Sequence, residues 1–177
     1  MELERNAPEL ESARLKLRAH RRDDFEASFR MWADPAVVKY IGAPSTEQRA
    51  WSRLLNYMGL WAMLGFGYWA IEEKSSGAFV GELGFADFKR AIDASMRDVP
   101  EVGWALAPQF HGRGYATEAL RAALAWGDRR FPRTVALIDP KNAPSLRVAV
   151  KCGFNEFLRI ELEGPVFCFE RFSEAAK

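Results

Sequence analysis

From Glu101 to Ala116 the chain reads Glu-Val-Gly-Trp-Ala-Leu-Ala-Pro-Gln-Phe-His-Gly-Arg-Gly-Tyr-Ala. Residues 102–106 form a short apolar strand, Pro108 ends it, and Gly112 and Gly114 open a helix that starts near Tyr115. Two glycines at such a junction allow a tight turn and leave backbone N–H groups free of side-chain cover. The positive end of the helix dipole adds to those donors, so the turn suits an anion such as a phosphate or pyrophosphate. The spacing excludes two common phosphate motifs. Thr117 stands where Gly-x-Gly-x-x-Gly needs its third glycine, and Gly112 is followed by Arg113-Gly114 where a P-loop needs lysine and a hydroxyl residue. Glycine turns also serve as plain chain reversals, so the flanking elements carry the choice between the two uses.

Those elements follow from periodicity and punctuation. Alternation over residues 13–18 predicts a first strand. Asp23 or Asp24 can cap a helix with Phe25, Phe29 and Trp32 on one face, and Asp34-Pro35 breaks it. Ser45 and Gln48 have capping-box spacing, and Trp51, Leu54, Leu55, Met58 and Trp61 give the next helix an apolar stripe expected to lie in the core. Residues 67–71 and 78–88 read as a hairpin turning at Lys74-Ser75-Ser76-Gly77, and the charged segment 89–100 as a loop. After the helix over 115–129 come a strand at 134–138, a helix over 144–151 capped by Asn142 and ended by Gly153, and a hairpin of 154–162 with 166–171. Antiparallel hairpins on both sides of a strand–helix–strand unit predict an α/β protein with a mixed sheet. The whole chain, 1–177, reads as a single domain.

Composition narrows the function classes. With 25 basic and 24 acidic side chains the net charge is +1, which supports no general claim on nucleic acid. Cys152 and Cys168 lack Cys-x-x-Cys spacing and sit among apolar neighbours, so both are expected in the core and a reducing, cytoplasmic setting is expected for the chain. His20 and His111 have no cysteine or acidic cluster at ligand spacing, so no metal site is expected. No apolar run is long enough to span a bilayer, and the opening Met-Glu-Leu-Glu-Arg-Asn lacks the apolar stretch of a secretion signal. Oligomeric state is not legible.

Gln109-x-x-Gly112-x-Gly114, between an apolar strand and Ala116-Thr117-Glu118-Ala119-Leu120, resembles the acyl-CoA signature of the GNAT superfamily of N-acetyltransferases. Asn142-x-x-Ser145-x-x-Val148-x-x-Lys151-x-Gly153-Phe154 is similar to the segment that closes the acyl-CoA site there. Many members carry a tyrosine general acid where Ala149 stands. The chain instead resembles the branch of ribosomal-protein N-terminal acetyltransferases, where a serine at the place of Ser145 is common, and Arg14-Leu15-Lys16-Leu17-Arg18 with Asp24 and Trp32 resembles that branch's opening. The order of elements extends the resemblance over nearly the whole chain. It implies a mostly antiparallel, twisted sheet flanked by helices.

By the same resemblance, the chain transfers an acetyl group from acetyl-CoA directly to a primary amine, without a metal. The acceptor would be a protein N-terminus, with a small polyamine or aminoglycoside as the alternative. A non-catalytic acetyl-CoA-binding module is a third reading. The coenzyme would be held by Trp104, Ala105, Leu106, Gln109, His111, Gly112, Arg113, Gly114, Tyr115, Ala116, Asn142 and Ser145. The strand edge at 104–106 would pair with the pantetheine, and a backbone N–H near Leu106 would hold the oxyanion. Ser145, or a water, would protonate the leaving thiolate. Glu101 at the mouth of the strand and Glu82 in Gly81-Glu82-Leu83-Gly84 are the candidate bases. For each of the two, a surface or salt-bridged carboxylate is the competing reading. For Asn142 and Ser145 it is helix capping and first-turn packing.

Overall fold

Local signals set the two helices that matter most for the site. In the computed structural model, which describes residues 6–90 and 92–173, α4 (Tyr115–Gly127) starts from Gly114 in the left-handed region, φ 78°. Its Ala119, Leu120, Ala123, Leu124 and Trp126 are buried along one side. Gly127 lets the helix close on the sheet, because a Cβ there would press into the Phe85 ring. α5 (Ala143–Lys151) carries Pro144 in its first turn, and the Asn142 Oδ1 accepts from the Ser145 N–H at 3.2 Å. The glycine start of α4 and the Asn142 cap of α5 are as expected.

Eight strands form one sheet in the order β1-β2-β3-β4-β5-β6-β8-β7. They are β1 (Leu10–Glu11), β2 (Leu15–Arg18), β3 (Tyr68–Glu73), β4 (Phe79–Ala86), β5 (Glu101–Leu106), β6 (Arg133–Ile138), β7 (Asn155–Glu161) and β8 (Pro165–Phe172). Every neighbouring pair is antiparallel except β5 with β6. The result is a mixed, mostly antiparallel sheet flanked by helices, as the resemblance implies. Strand alternation divides its centre into two faces. Trp69, Leu83 and Phe85 belong to the face that packs with Trp126 of α4, where Trp69 meets Phe85 and Trp126 edge to face and Phe85 stacks on Trp126. The opposite face carries Tyr68, Glu82, Gly84, Glu101 and Gly103 and lies against α1 (Phe25–Ala33) and α3 (Glu47–Leu64).

Several expectations change. Thr46, not Ser45, caps α3, its side chain accepting from the Arg49 N–H at 3.3 Å, while the Ser45 hydroxyl accepts from Arg53. The buried side of α3 is Ala50, Leu54, Tyr57, Leu60 and Trp61; Trp51, Leu55 and Met58 are exposed. The helix is rotated from the apolar stripe because Tyr57 turns inward toward Glu82. Asp34 ends α1 and caps a further short helix, α2 (Pro35–Val38), by accepting from the Ala36 N–H. β1 was not expected, since two residues carry no alternation. A 3-10 turn, Ala94–Met96, interrupts the 89–100 loop. Cys152 and Cys168 are buried, as anticipated. Among the described residues no helix is long and apolar enough to cross a membrane.

Candidate active site

The one parallel pairing of the sheet is also where it opens. β5 and β6 share a single register pair, Glu101 with Val135, at the start of β5. The Ala107 N–H donates to the Val80 carbonyl across β4. Antiparallel ladders alternate the direction of their backbone groups. By that alternation Ala105 and Gly103 bond toward β4, and Trp104 and Leu106 direct their N–H groups toward the gap. Gly103 and Trp104 are part-exposed although β5 is a central strand. An extended chain entering this gap would find a strand edge ready to pair, and parallel strands bring their carboxyl ends, where α4 and α5 begin, to the same side.

The turn below that gap has the geometry its sequence predicts. Gly112 and Gly114 adopt φ 75° and 78°, values that a side chain would strain. Beyond its own chain neighbours, no described atom lies within 4 Å of the place a Gly112 Cβ would occupy, so the turn is open. The first-turn N–H groups of α4, including Tyr115 and Ala116, have no carbonyl to accept them within the helix. Arg113 stays half-exposed, 3.9 Å from Glu73. Gln109 lies in the 3-10 turn Pro108–Phe110 that leads into the glycines.

Two members of this segment differ from the expected picture. His111 is exposed, but one ring nitrogen is taken: Nε2 donates to the Leu106 carbonyl at 2.7 Å and ties the turn to the end of β5. Tyr115 is buried, its hydroxyl donating to Glu73 at 2.5 Å and its ring lying under the Arg14 guanidinium. Both can serve an anion only through their backbone or, for His111, the remaining ring nitrogen. On α5, Ser145 is part-exposed and its hydroxyl makes no hydrogen bond among the described residues, while Ala149 is fully buried. The Asn142 side chain is occupied as a helix cap.

The two carboxylates share one sheet face but differ in setting. Glu82, opposite Ala105, has no exposed surface. Trp32 Nε1 donates to one of its oxygens, Ser28 Oγ donates to the other at 3.3 Å, and Tyr57 is within hydrogen-bonding reach. Burial pushes its carboxyl up to about 7 against the pull of Trp32 and Arg53. Glu101, opposite Ala86, accepts from Arg90 Nε at 3.0 Å, and burial raises its carboxyl despite that cation. It borders a cavity of about 370 Å³ between the sheet residues Val135 and Leu137 and the loop bearing Phe88, Arg90 and Met96. The competing surface reading therefore fails for Glu82, and the salt-bridge reading holds for Glu101. Ser28 and Tyr57 carried no signal of their own, and Trp32, read as part of an apolar helix face and of the resemblance at the start of the chain, carried none toward Glu82, because each meets Glu82 from a distant part of the chain.

Among the described residues no cluster of histidine, cysteine or acidic groups is arranged to hold a metal.

Comparison with known proteins agrees with this geometry. Residues 14–155 match the family model for the GNAT acetyltransferase domain. An uncharacterised protein of Bacillus subtilis (strain 168) is 32% identical over 151 residues, covering 81% of this chain and 83% of that protein. A structure from Bordetella pertussis, assigned to the GNAT acetyltransferases, superposes with a TM-score of 0.81 at 33% identity, covering 93% of this chain and 99% of that one. A ribosomal L7/L12 α-N-protein acetyltransferase in complex with coenzyme A shares the fold, with a TM-score of 0.75 at 21% identity over 93% of this chain and 97% of that one.

Proposed function

The chain belongs to the GNAT acetyltransferase family, and on that premise we propose that it moves the acetyl group of acetyl-CoA directly to a primary amine, a protein N-terminus being the acceptor. The observation that carries the reading is the separation of β5 from β6 beyond Glu101, with the Gly112 and Gly114 turn at the same end. The fold shared with a coenzyme-A-bound ribosomal-protein acetyltransferase supports a protein acceptor.

The residues present fit acetyl-CoA as substrate. Backbone N–H groups of the open turn, with the Arg113 guanidinium beside them, take the pyrophosphate. The pantetheine amides pair with the free edge at Trp104 to Leu106. A backbone N–H there, from Trp104 or Leu106, faces the thioester oxygen as it gains charge; one such donor is worth about 3–4 kcal/mol where it has been removed elsewhere. The amine arrives protonated and has to lose a proton. Glu101 borders the cavity and Glu82 has the proton affinity of a base working near neutrality. The neutral amine nitrogen then forms its bond to the carbonyl carbon, the C–S bond breaks with its electron pair on sulfur, the thiolate takes a proton from Ser145 or water, and the second proton that the nitrogen sheds restores that donor.

The test is acetyl transfer from acetyl-CoA to peptides with free N-termini, polyamines and aminoglycosides. Preferred transfer to the peptides is the expected result. Transfer confined to polyamines or aminoglycosides replaces the acceptor, and binding without transfer to any amine overturns the enzymatic reading.

A further inference from the structure

One row of residues leads across the buried sheet face to the strand edge where β5 leaves β6, and has so far been given no role. Tyr68 on β3, Gly84 on β4 and Gly103 on β5 are successive register partners and therefore share a face. The row on one side holds Glu82 opposite Ala105, and the row on the other holds Glu101 opposite Ala86. A Cβ at 103 would collide with the Tyr68 hydroxyl, and a Cβ at 84 would collide with the Tyr68 backbone and the Gly67 carbonyl. Two glycines thus clear a trough, and the phenol lies along it with its oxygen delivered two strands away, onto β5.

Tyr57 holds the phenol down. The two rings stack with centroids 4.3 Å apart and planes 7° from parallel. No described residue hydrogen-bonds the Tyr68 hydroxyl, although it lies between two rows that carry carboxylates. Burial, together with Glu101 and Glu82, holds that hydroxyl far above its ordinary range. At neutral pH it is a neutral group able both to donate and to accept. It ends at Gly103, the part-exposed residue of β5 where the strand has left β6. The sheet face it occupies is the one bearing both candidate bases, not the one packed on α4.

We propose that the Tyr68 hydroxyl receives the acceptor amine. Its oxygen accepts one N–H of the amine and so aims the nitrogen lone pair at the thioester carbon beside β5. As the N–C bond forms, the C–S electron pair leaves on sulfur. The amine's first proton has gone to Glu82 or Glu101 in the flanking rows; the thiolate gains one from Ser145 or water, and the second proton shed by the nitrogen restores that donor. The proposal rests on the acetyl-transfer reading and adds a contact to it. Gly103 is then required because any side chain there would displace the hydroxyl.

Tyr68→Phe and Gly103→Ala test this, with an amine that the parent acetylates. Tyr68→Phe keeps the stacked ring and should lower kcat/KM for the amine by at least tenfold, while acetyl-CoA affinity stays within twofold of the parent. Gly103→Ala keeps the hydroxyl but displaces it, and should give a comparable loss. It also carries the test if Tyr68→Phe fails to fold. The double variant should be no worse than the weaker single one. A folded Tyr68→Phe with kcat/KM within twofold of the parent, or a double variant whose losses multiply, overturns the proposal and leaves acetyl transfer standing. A parent that binds acetyl-CoA but acetylates no amine overturns both.

Discussion

Replacing Glu82 by glutamine should change how stability depends on pH, and the size of the change follows from its burial. The carboxyl has no exposed surface and is pushed from 4.5 up to about 7 in the folded protein. Between those values the folded state keeps a proton that the unfolded state has lost, so stability falls as pH rises through the window. Below it both states are protonated, and above about 7 the full cost is present. A difference of 2.5 between the two values corresponds to about 3 kcal/mol at 1.36 kcal/mol per unit. His20 opposes this. Burial pushes its imidazole from 6.5 down to about 4, so its contribution rises with pH across that range by a similar amount. The parent's own curve is therefore flattened, and the informative quantity is the difference between variant and parent. Glutamine retains an acceptor for Trp32 Nε1 and has nothing to ionise. Urea unfolding of both proteins from pH 4.5 to 8 should show the glutamine variant gaining about 3 kcal/mol relative to the parent. A difference that stays flat across that range would refute the assignment of a buried, ionisable Glu82. The same variant, beside Glu101→Gln, separates the two bases: the one whose loss removes the acidic limb of the kcat/KM profile takes the amine proton.

Gly114→Val should weaken acetyl-CoA binding by tenfold or more, since the valine strains a backbone at φ 78° and covers the N–H groups at the helix start. Gly65→Ala, at φ 72° where α3 ends, controls for strain alone and should bind normally; equal affinity in a folded Gly114→Val and the parent would remove the turn from the coenzyme site. For the parent, acetyl-CoA at a hundredfold excess over Kd should add about 2.7 kcal/mol of stability. Ser145→Ala should lower kcat more than acetyl-CoA affinity, because the cap that Asn142 makes uses the Ser145 backbone N–H and survives the change. An unaltered kcat would give the thiolate's proton to water.

What the sequence disclosed about this site was whatever depends on near neighbours in the chain. The glycine turn, the strand before it and the Asn142 cap are each set within a dozen residues, and all are found where the spacing put them. The departure of β5 from β6 is different in kind. It depends on how strands far apart in sequence pair, and nothing in residues 101–106 or 133–138 announces where the pairing stops. The setting of Glu82 is further out of reach, because Ser28, Trp32 and Tyr57 approach it from 54, 50 and 25 positions away. α3 shows why periodicity misled there. Its largest apolar residues mark one stripe, yet the helix buries Tyr57 and leaves Leu55 and Met58 exposed, because a buried carboxylate has to be given polar partners. A rule that places apolar groups inward is broken at the residues that serve Glu82. The row of Tyr68, Gly84 and Gly103 obeys the same logic: neither glycine stands at a tight chain reversal, and their purpose appears only when the ring that lies across them is seen. Inside a sheet, then, a glycine that no turn explains is a reason to ask what occupies the volume its side chain has vacated.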